Sequence, residues 1–328
     1  MKLAIVILNW NGQQLLEQFL PSIVSYSKEA KIYIADNAST DNSIEFVSAN
    51  YPEIIIIKNN INGGYAKGYN DALKHITADV YCLLNSDIEV TENWLVPIVS
   101  VFKTDKNIAA IQPKILDYKD KSKFEYAGAG GGFIDKYGYP FCRGRIFDNI
   151  ETDTNQYNDT IDIFWASGAC LFIKSEVYHK LNGFDENYFA HQEEIDLCWR
   201  IQNSGQLIKY VGASSVYHVG GATLTTQNPK KTFLNFRNSL FNLIKNLPKN
   251  KGFWLVFTRL CLDGLAGIKY MLDGKPLHTF AIIKAHFSFY GNLYKMLKKR
   301  TSSLKKHDYF NTKSIVWDYF VKGKKTYI

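Results

Sequence analysis

The chain has 328 residues, 46% hydrophobic and 21% charged, with a formal net charge of +8. That composition excludes a disordered or fibrous chain, and the length suffices for one large core or two modest ones. Five cysteines (Cys82, Cys142, Cys170, Cys198 and Cys261) are odd in number, scattered and without Cys-x-x-Cys spacing, which argues against a disulfide framework and for a reducing compartment.

Met1-Lys2 is followed by only six apolar residues before Asn9, too few for a secretory signal, so the start reads as structure. Residues 3–8 form a short apolar run that ends at Asn9-Trp10-Asn11-Gly12, and residues 32–35 form another that ends at Asp36-Asn37-Ala38-Ser39-Thr40-Asp41. Both are expected to be buried parallel strands entering turns. Leu15, Leu16, Phe19, Leu20 and Ile23 recur between them at helical spacing. Residues 43–51 predict a second helix, 54–57 a third strand, 65–76 a third helix, and 80–84 a fourth strand broken at Asn85-Ser86-Asp87. This alternation predicts an α/β fold, an open, mostly parallel, doubly wound sheet. Ligands of such sheets bind beyond the carboxyl ends of the strands, where Asn9, Asp36 and Asp87 fall.

Residues 117–162 are rich in Gly, Tyr, Asp and Asn and too long for an ordinary connection. They are expected to be a partly mobile flap over donor or acceptor, or an uninvolved loop, with Arg143 and Arg145 near phosphate in the first case. Next comes Gln192-Glu193-Glu194-Ile195-Asp196-Leu197-Cys198-Trp199-Arg200. With Glu194 as reference, Leu197, Cys198 and Ile201 stand at i+3, i+4 and i+7, so Glu194 faces an apolar arc while Glu193, Asp196 and Arg200 form a solvated face. Burial would raise the Glu194 pKa toward the range of a general base; a plain acidic helix N-terminus is the alternative. Ser215-Val216-Tyr217-His218-Val219 alternates like a sheet edge, leaving His218 as either a ligand or a hydrogen-bonded structural residue.

Residues 227–328 hold 20 Lys and Arg against 4 Asp and Glu, a net of +16, and residues 1–226 therefore a net of −8. The tail is also aromatic and aliphatic, as in Phe253-Trp254-Leu255-Val256-Phe257, but Arg259, Asp263, Lys269 and Lys284 interrupt every apolar run before it could span a bilayer. A basic, amphipathic helical region suits an anionic membrane surface. Self-association into a homo-oligomer is the alternative, and nucleic acid is disfavoured because no recognition motif accompanies the charge.

The motifs Asp36-Asn37-Ala38-Ser39-Thr40-Asp41, Asn62-Gly63-Gly64-Tyr65-Ala66-Lys67-Gly68-Tyr69-Asn70 and Leu83-Leu84-Asn85-Ser86-Asp87 occur in order. Ser167-Gly168-Ala169-Cys170, Gly183-Phe184-Asp185-Glu186, the acidic helix and Tyr217-His218-Val219-Gly220-Gly221 follow. The series, covering about residues 1–245, resembles the inverting family 2 glycosyltransferases of GT-A fold, and among them the rhamnosyltransferase-like enzymes of bacterial surface-polysaccharide assembly. The resemblance implies a GT-A domain over residues 1–226, with a nucleotide-binding half (1–116), the flap (117–162) and an acceptor half (163–226), followed by the helical region 227–328. It assigns Asn9, Asp36, Gly68, Asn70, Ser86 and Asp87 to a nucleoside-diphosphate sugar and Trp165, Gly168 and Ala169 to the sugar and acceptor pocket. Asp87 and His218 would hold Mg²⁺ or Mn²⁺, although Asn85 stands where the metal motif has its first acid. Glu194 or Glu193 would deprotonate a hydroxyl of a saccharide or lipid-linked acceptor. The expected location is cytoplasmic, peripheral at the inner face of the cytoplasmic membrane. A catalytically weak scaffold subunit of an assembly complex is the alternative.

Overall fold

A computed structural model describes residues 1–220, 228–248, 252–300 and 309–327; Gly221 of the expected His218 motif lies outside them. The main sheet contains β1 (Leu3–Asn9), β2 (Lys31–Asp36), β3 (Ile55–Lys58), β4 (Val80–Asn85), β5 (Ile88–Val90) and β6 (Ile108–Asp117). A second, small sheet holds β7 (Gly132–Ile134), β8 (Pro140–Cys142), β9 (Arg145–Ile146) and β10 (Asn149–Ile150), and β11 (Thr160–Asp162), β12 (Cys170–Lys174) and β13 (Leu207–His218) return to the main one. The main order is β11-β13-β6-β12-β4-β1-β2-β3, with β5 paired to β13. β4, β1, β2 and β3 run parallel, as do β6 and β13, but β12 enters antiparallel between β4 and β6. The sheet is therefore mixed beyond the nucleotide half.

Side chains of β1 alternate between two cores. Ile5 and Ile7 face one with Leu16, Leu20 and Ile23 of α1 (Gln13–Tyr26) and Val47 of α2 (Ser43–Asn50); Ala4 and Val6 face the other with Ala66, Tyr69 and Leu73 of α3 (Gly64–Leu73). α4 (Leu95–Thr104) covers the first face beside β13, and α5 (Ser175–Lys180) follows β12. A short 3-10 turn (Glu186–Tyr188) leads to α6 (Glu193–Asn203).

The C-terminal part comprises α7 (Pro229–Asn246), α8 (Gly252–Leu272), α9 (Pro276–Lys298) and α10 (Ile315–Phe320). Leu240, Phe241, Leu255, Phe289, Met296 and Ile315 share one buried cluster with α3, α6 and the small sheet, so the tail is packed into the catalytic part rather than appended to it. Arg259 fixes this docking: it bonds Asp263 at 2.7 Å and Ser239 at 2.9 Å and lies over the Tyr139 ring at 3.6 Å.

Three local expectations are corrected by this packing. The flap is built structure, because the small sheet and the cluster of Phe124, Phe133, Phe141 and Tyr157 bury it. Residues 215–219 are no edge, since β13 has β6 on one side and β11 and β5 on the other. The Glu193/Asp196/Arg200 face of α6 is not solvated: α7 covers it, Glu193 and Asp196 are buried, and Asp196 meets Arg200 at 2.9 Å and Lys245 of α7 at 2.8 Å. A helical wheel counts apolar residues, and here the covering helix brought its own countercharge.

Candidate active site

Strand register assembles the rim. Asn9 stands opposite Asp36 in the β1/β2 ladder, and Leu8 opposite Asn85 in the β1/β4 ladder. Asp36 is buried, accepting from Asn9 Nδ2 at 3.2 Å and from the Ser39 backbone N–H at 3.2 Å. The Asn9 amide also donates to Ser43 Oγ at 2.9 Å, which leaves its buried Oδ1 without a partner. Ser86 is partly exposed beside this turn.

Asp87 and His218 are brought together by the antiparallel pairing of β5 with β13, where His218 lies opposite Ile88. His218 Nε2 is 3.1 Å from Asp87 Oδ1, and its Nδ1 faces Glu125 Oε1 at 3.4 Å. Burial alone would lower the His218 pKa, but the two carboxylates outweigh it and push it up to about 10; His218 in turn holds Asp87 low against burial. Glu125 had no signature in the sequence. It sits in the loop after β6, held against that strand by the Leu116–Phe124 bridge and by its own N–H donating to Ile115 O at 3.1 Å. Among the described residues no group of three or more His, Cys, Asp or Glu forms a ready-made metal cage.

The loop before β12 closes the rim, because Ala169 O accepts from the Asn85 N–H at 3.0 Å and Gly168 O from the Tyr65 hydroxyl at 2.7 Å. Burial pushes the Tyr65 phenol up, and Glu193 and Glu194 add to that rise, so both carboxylates stand near this corner. Glu193 is buried with Oε2 unpartnered, and burial beside Glu194 raises its pKa well above the ordinary value. Glu194 is partly exposed, and burial pushes its pKa up to about 7.

Other expected pocket residues carry framework duties here. Gly68 lets α3 approach β1, since a Cβ there would meet Leu8 Cδ1 at 2.8 Å. Asn70 binds the Phe184 backbone at 2.9 and 3.0 Å and the Tyr178 hydroxyl at 2.6 Å. Trp165 is buried and donates to Phe133 O at 2.9 Å. Arg143 pairs with Asp159 at 2.8 Å. Arg145, also buried, stacks on Tyr126 at 4.3 Å and touches Cys142 Sγ at 3.6 Å, with Nε unpartnered.

The segment leading into α6 is strained: Phe189, His191 and Gln192 all adopt positive φ, at 66°, 68° and 72°, a region non-glycine residues rarely occupy. α7 holds it there. Asn238 Nδ2 donates to the carbonyls of Tyr188, Ala190 and His191 at 3.1, 3.0 and 2.7 Å, and Arg237 to those of Asn187 and Tyr188. The sequence carried a signal for this clamp in Asn238, Asn242 and Asn246, poor helix formers repeated every fourth residue on one face.

The mixed sheet with an acidic rim at its parallel strand ends is a GT-A fold, which the chain shares with the solved structures that superpose on it. It resembles a mannosyltransferase from Pyrobaculum calidifontis in complex with GDP-Man and Mn²⁺ (TM-score 0.55, 14% identity, 88% of this chain and 87% of that one). It also resembles S. aureus TarS 1-349 in complex with UDP-GlcNAc (TM-score 0.56, 12% identity, 91% of each chain). The family model for glycosyl transferase family 2 matches residues 4–181, and the chain belongs to that family. Among its relatives are an N-acetylglucosaminyl-diphospho-decaprenol L-rhamnosyltransferase of Mycobacterium tuberculosis, 23% identical over 284 residues (81% of this chain, 91% of that protein), and the rhamnosyltransferase WbbL of Escherichia coli, 22% identical over 221 residues (65% and 82%).

Proposed function

We propose that this glycosyltransferase inverts configuration at the anomeric carbon, moving a sugar from a UDP- or dTDP-sugar to a hydroxyl of a saccharide or lipid-linked acceptor during cell-surface polysaccharide assembly. The observation that carries the chemistry is the contrast between the two carboxylates at the head of α6. Glu193 is buried with its Oε2 unpartnered, whereas Glu194 is partly exposed and burial pushes its pKa up to about 7, the range a general base requires. The name of the N-acetylglucosaminyl-diphospho-decaprenol L-rhamnosyltransferase relative supports a lipid-linked acceptor.

In this reading Asp36 accepts the imide N–H of uracil or thymine. Glu194 takes the proton of the attacking hydroxyl, and the single direct displacement inverts the sugar. Asp87 and His218 would hold a divalent cation by exchanging the proton now shared between Asp87 Oδ1 and His218 Nε2, 3.1 Å apart, for the ion, while Glu125 lies 3.4 Å from the other ring nitrogen. Such an ion, completed by diphosphate oxygens, would supply charge neutralisation for the leaving group.

The test is thermal stabilisation of the full chain by UDP, dTDP, GDP and CMP, each with and without Mn²⁺ or Mg²⁺. UDP or dTDP should raise the melting temperature most, more so with metal, and Asp87→Ala should remove the metal-dependent part. Preferential stabilisation by GDP or CMP would refute the base assignment. Unchanged metal dependence in Asp87→Ala would refute the metal site.

A further inference from the structure

Among the described residues, 14 of the 26 exposed large apolar side chains lie on α8 and α9. They are not scattered. At 100° per residue Trp254, Phe257, Leu265 and Leu272 fall within an arc about 80° wide on α8, opposite the buried Leu255, Arg259 and Asp263. On α9, Phe280, Phe287, Tyr290 and Tyr294 form a similar arc opposite Ala281, Ile282, Ala285 and Phe289. Exposure along these arcs reaches 70% at Trp254, 73% at Phe287 and 82% at Leu272. A contiguous apolar surface of this extent is unusual on a protein that stays in water.

Charge decides what covers it. Lys275, Lys284, Lys295 and Lys298 are exposed on or beside the α9 arc. The acidic residues of the two helices are Asp263, buried against Arg259, and Asp273, taken by Lys269 at 2.5 Å. A second copy would bring the same positive fringe against itself, whereas a bilayer of anionic lipid supplies an apolar layer beneath a negative surface. No helix among the described residues is long and apolar enough to cross a membrane, and α8 and α9 pack side by side as a hairpin.

We propose that the α8–α9 hairpin lies in the plane of an anionic membrane, with its aromatic and aliphatic arcs in the acyl boundary and the four lysines among the headgroups. The same α7 that clamps the approach to α6 packs on α9, so docking fixes the orientation of the catalytic helix relative to the bilayer. The proposal does not depend on the donor or acceptor, because vesicle binding requires no turnover.

The experiment uses full-length protein and vesicles of phosphatidylcholine alone or with phosphatidylglycerol, read by cosedimentation, with nucleotide-induced thermal stabilisation as an independent check on folding. Wild type should bind the anionic vesicles and release as salt is added. Trp254→Glu with Phe287→Glu, both highly exposed positions, should lower partitioning at least about tenfold, and Lys284→Glu with Lys298→Glu about fivefold per lysine, each retaining nucleotide stabilisation and melting temperature. Equal binding to both vesicle types, no binding to either, or wild-type binding by the variants would overturn the proposal. So would a dimer in sedimentation velocity that the Trp254→Glu/Phe287→Glu pair dissolves, with no vesicle binding, since the face would then join two copies.

Discussion

Replacing Glu194 with Gln keeps its size and removes its basicity, so transfer should fall by roughly 10²- to 10⁴-fold while nucleotide binding is retained. Glu193→Gln should cost much less, because the Glu193 side chain is buried while that of Glu194 is partly exposed. The reverse ranking in steady-state assays would move the base to Glu193. The pH profile makes the same point: with the Glu194 carboxyl raised by burial from 4.5 to about 7, kcat/KM should rise through about pH 7 and flatten above it. Linkage has the opposite sign for stability. The folded state holds that proton to higher pH than the unfolded chain, so stability contributed below about 4.5 is lost as pH rises through about 7, and Glu194→Gln should remove that part of the slope.

At the scale of elements, α6 and the segment leading into it are held by α7. Asn238→Ala removes an amide that serves three carbonyls of the strained Tyr188–Gln192 segment. It should cost roughly 1–3 kcal/mol of stability and lower kcat more than it weakens nucleotide binding; a fully active variant of unchanged stability would show that the segment holds its own shape. Lys245 lies between Asp185 and Asp196 at 2.7 and 2.8 Å, Lys245 and Asp196 buried and Asp185 partly so. Lys245→Met leaves Asp196 with Arg200 and Asp185 with Lys299 as their remaining cations and should destabilise by about 1–3 kcal/mol. Against burial, Lys245 holds both acids below the ordinary value of 3.8. Their contribution is therefore present above about pH 4 and lost on further acidification, and the variant's acid limb should be shallower than the wild type's.

For the whole molecule, the opposed charges of the two regions, −8 and +16, are partly spent on each other. Lys245 and Lys299 of the tail both reach Asp185, Lys299 at 2.5 Å. Truncation after Leu247 would strip Leu255, Val256, Phe289, Met296, Tyr309 and Ile315 from a shared core. The shortened chain is expected to aggregate or melt far below the full chain; a truncation that melts like the full chain would show that residues 1–247 fold without the tail.

The nucleotide half was legible because its signals are local. Short apolar runs ending in Asn and Asp, separated by helical periodicity, specify parallel strands and place their polar ends on one rim, and Asn9, Asp36 and Asp87 were found that way. The partner of His218 was not legible: Glu125 lies 93 residues before it in the chain, and the two meet only because β6, with the loop that follows it, packs beside β13. Nor was the inequality of Glu193 and Glu194. A helical wheel records which residues could face a core but not which neighbouring helix will cover them, and here α7, some 40 residues later in the chain, packs on α6, where Glu193 is buried and Glu194 partly exposed. The charge and apolar content of the tail were plain in its composition. Only packing decided which residues those helices spend on the core and which they leave facing outward.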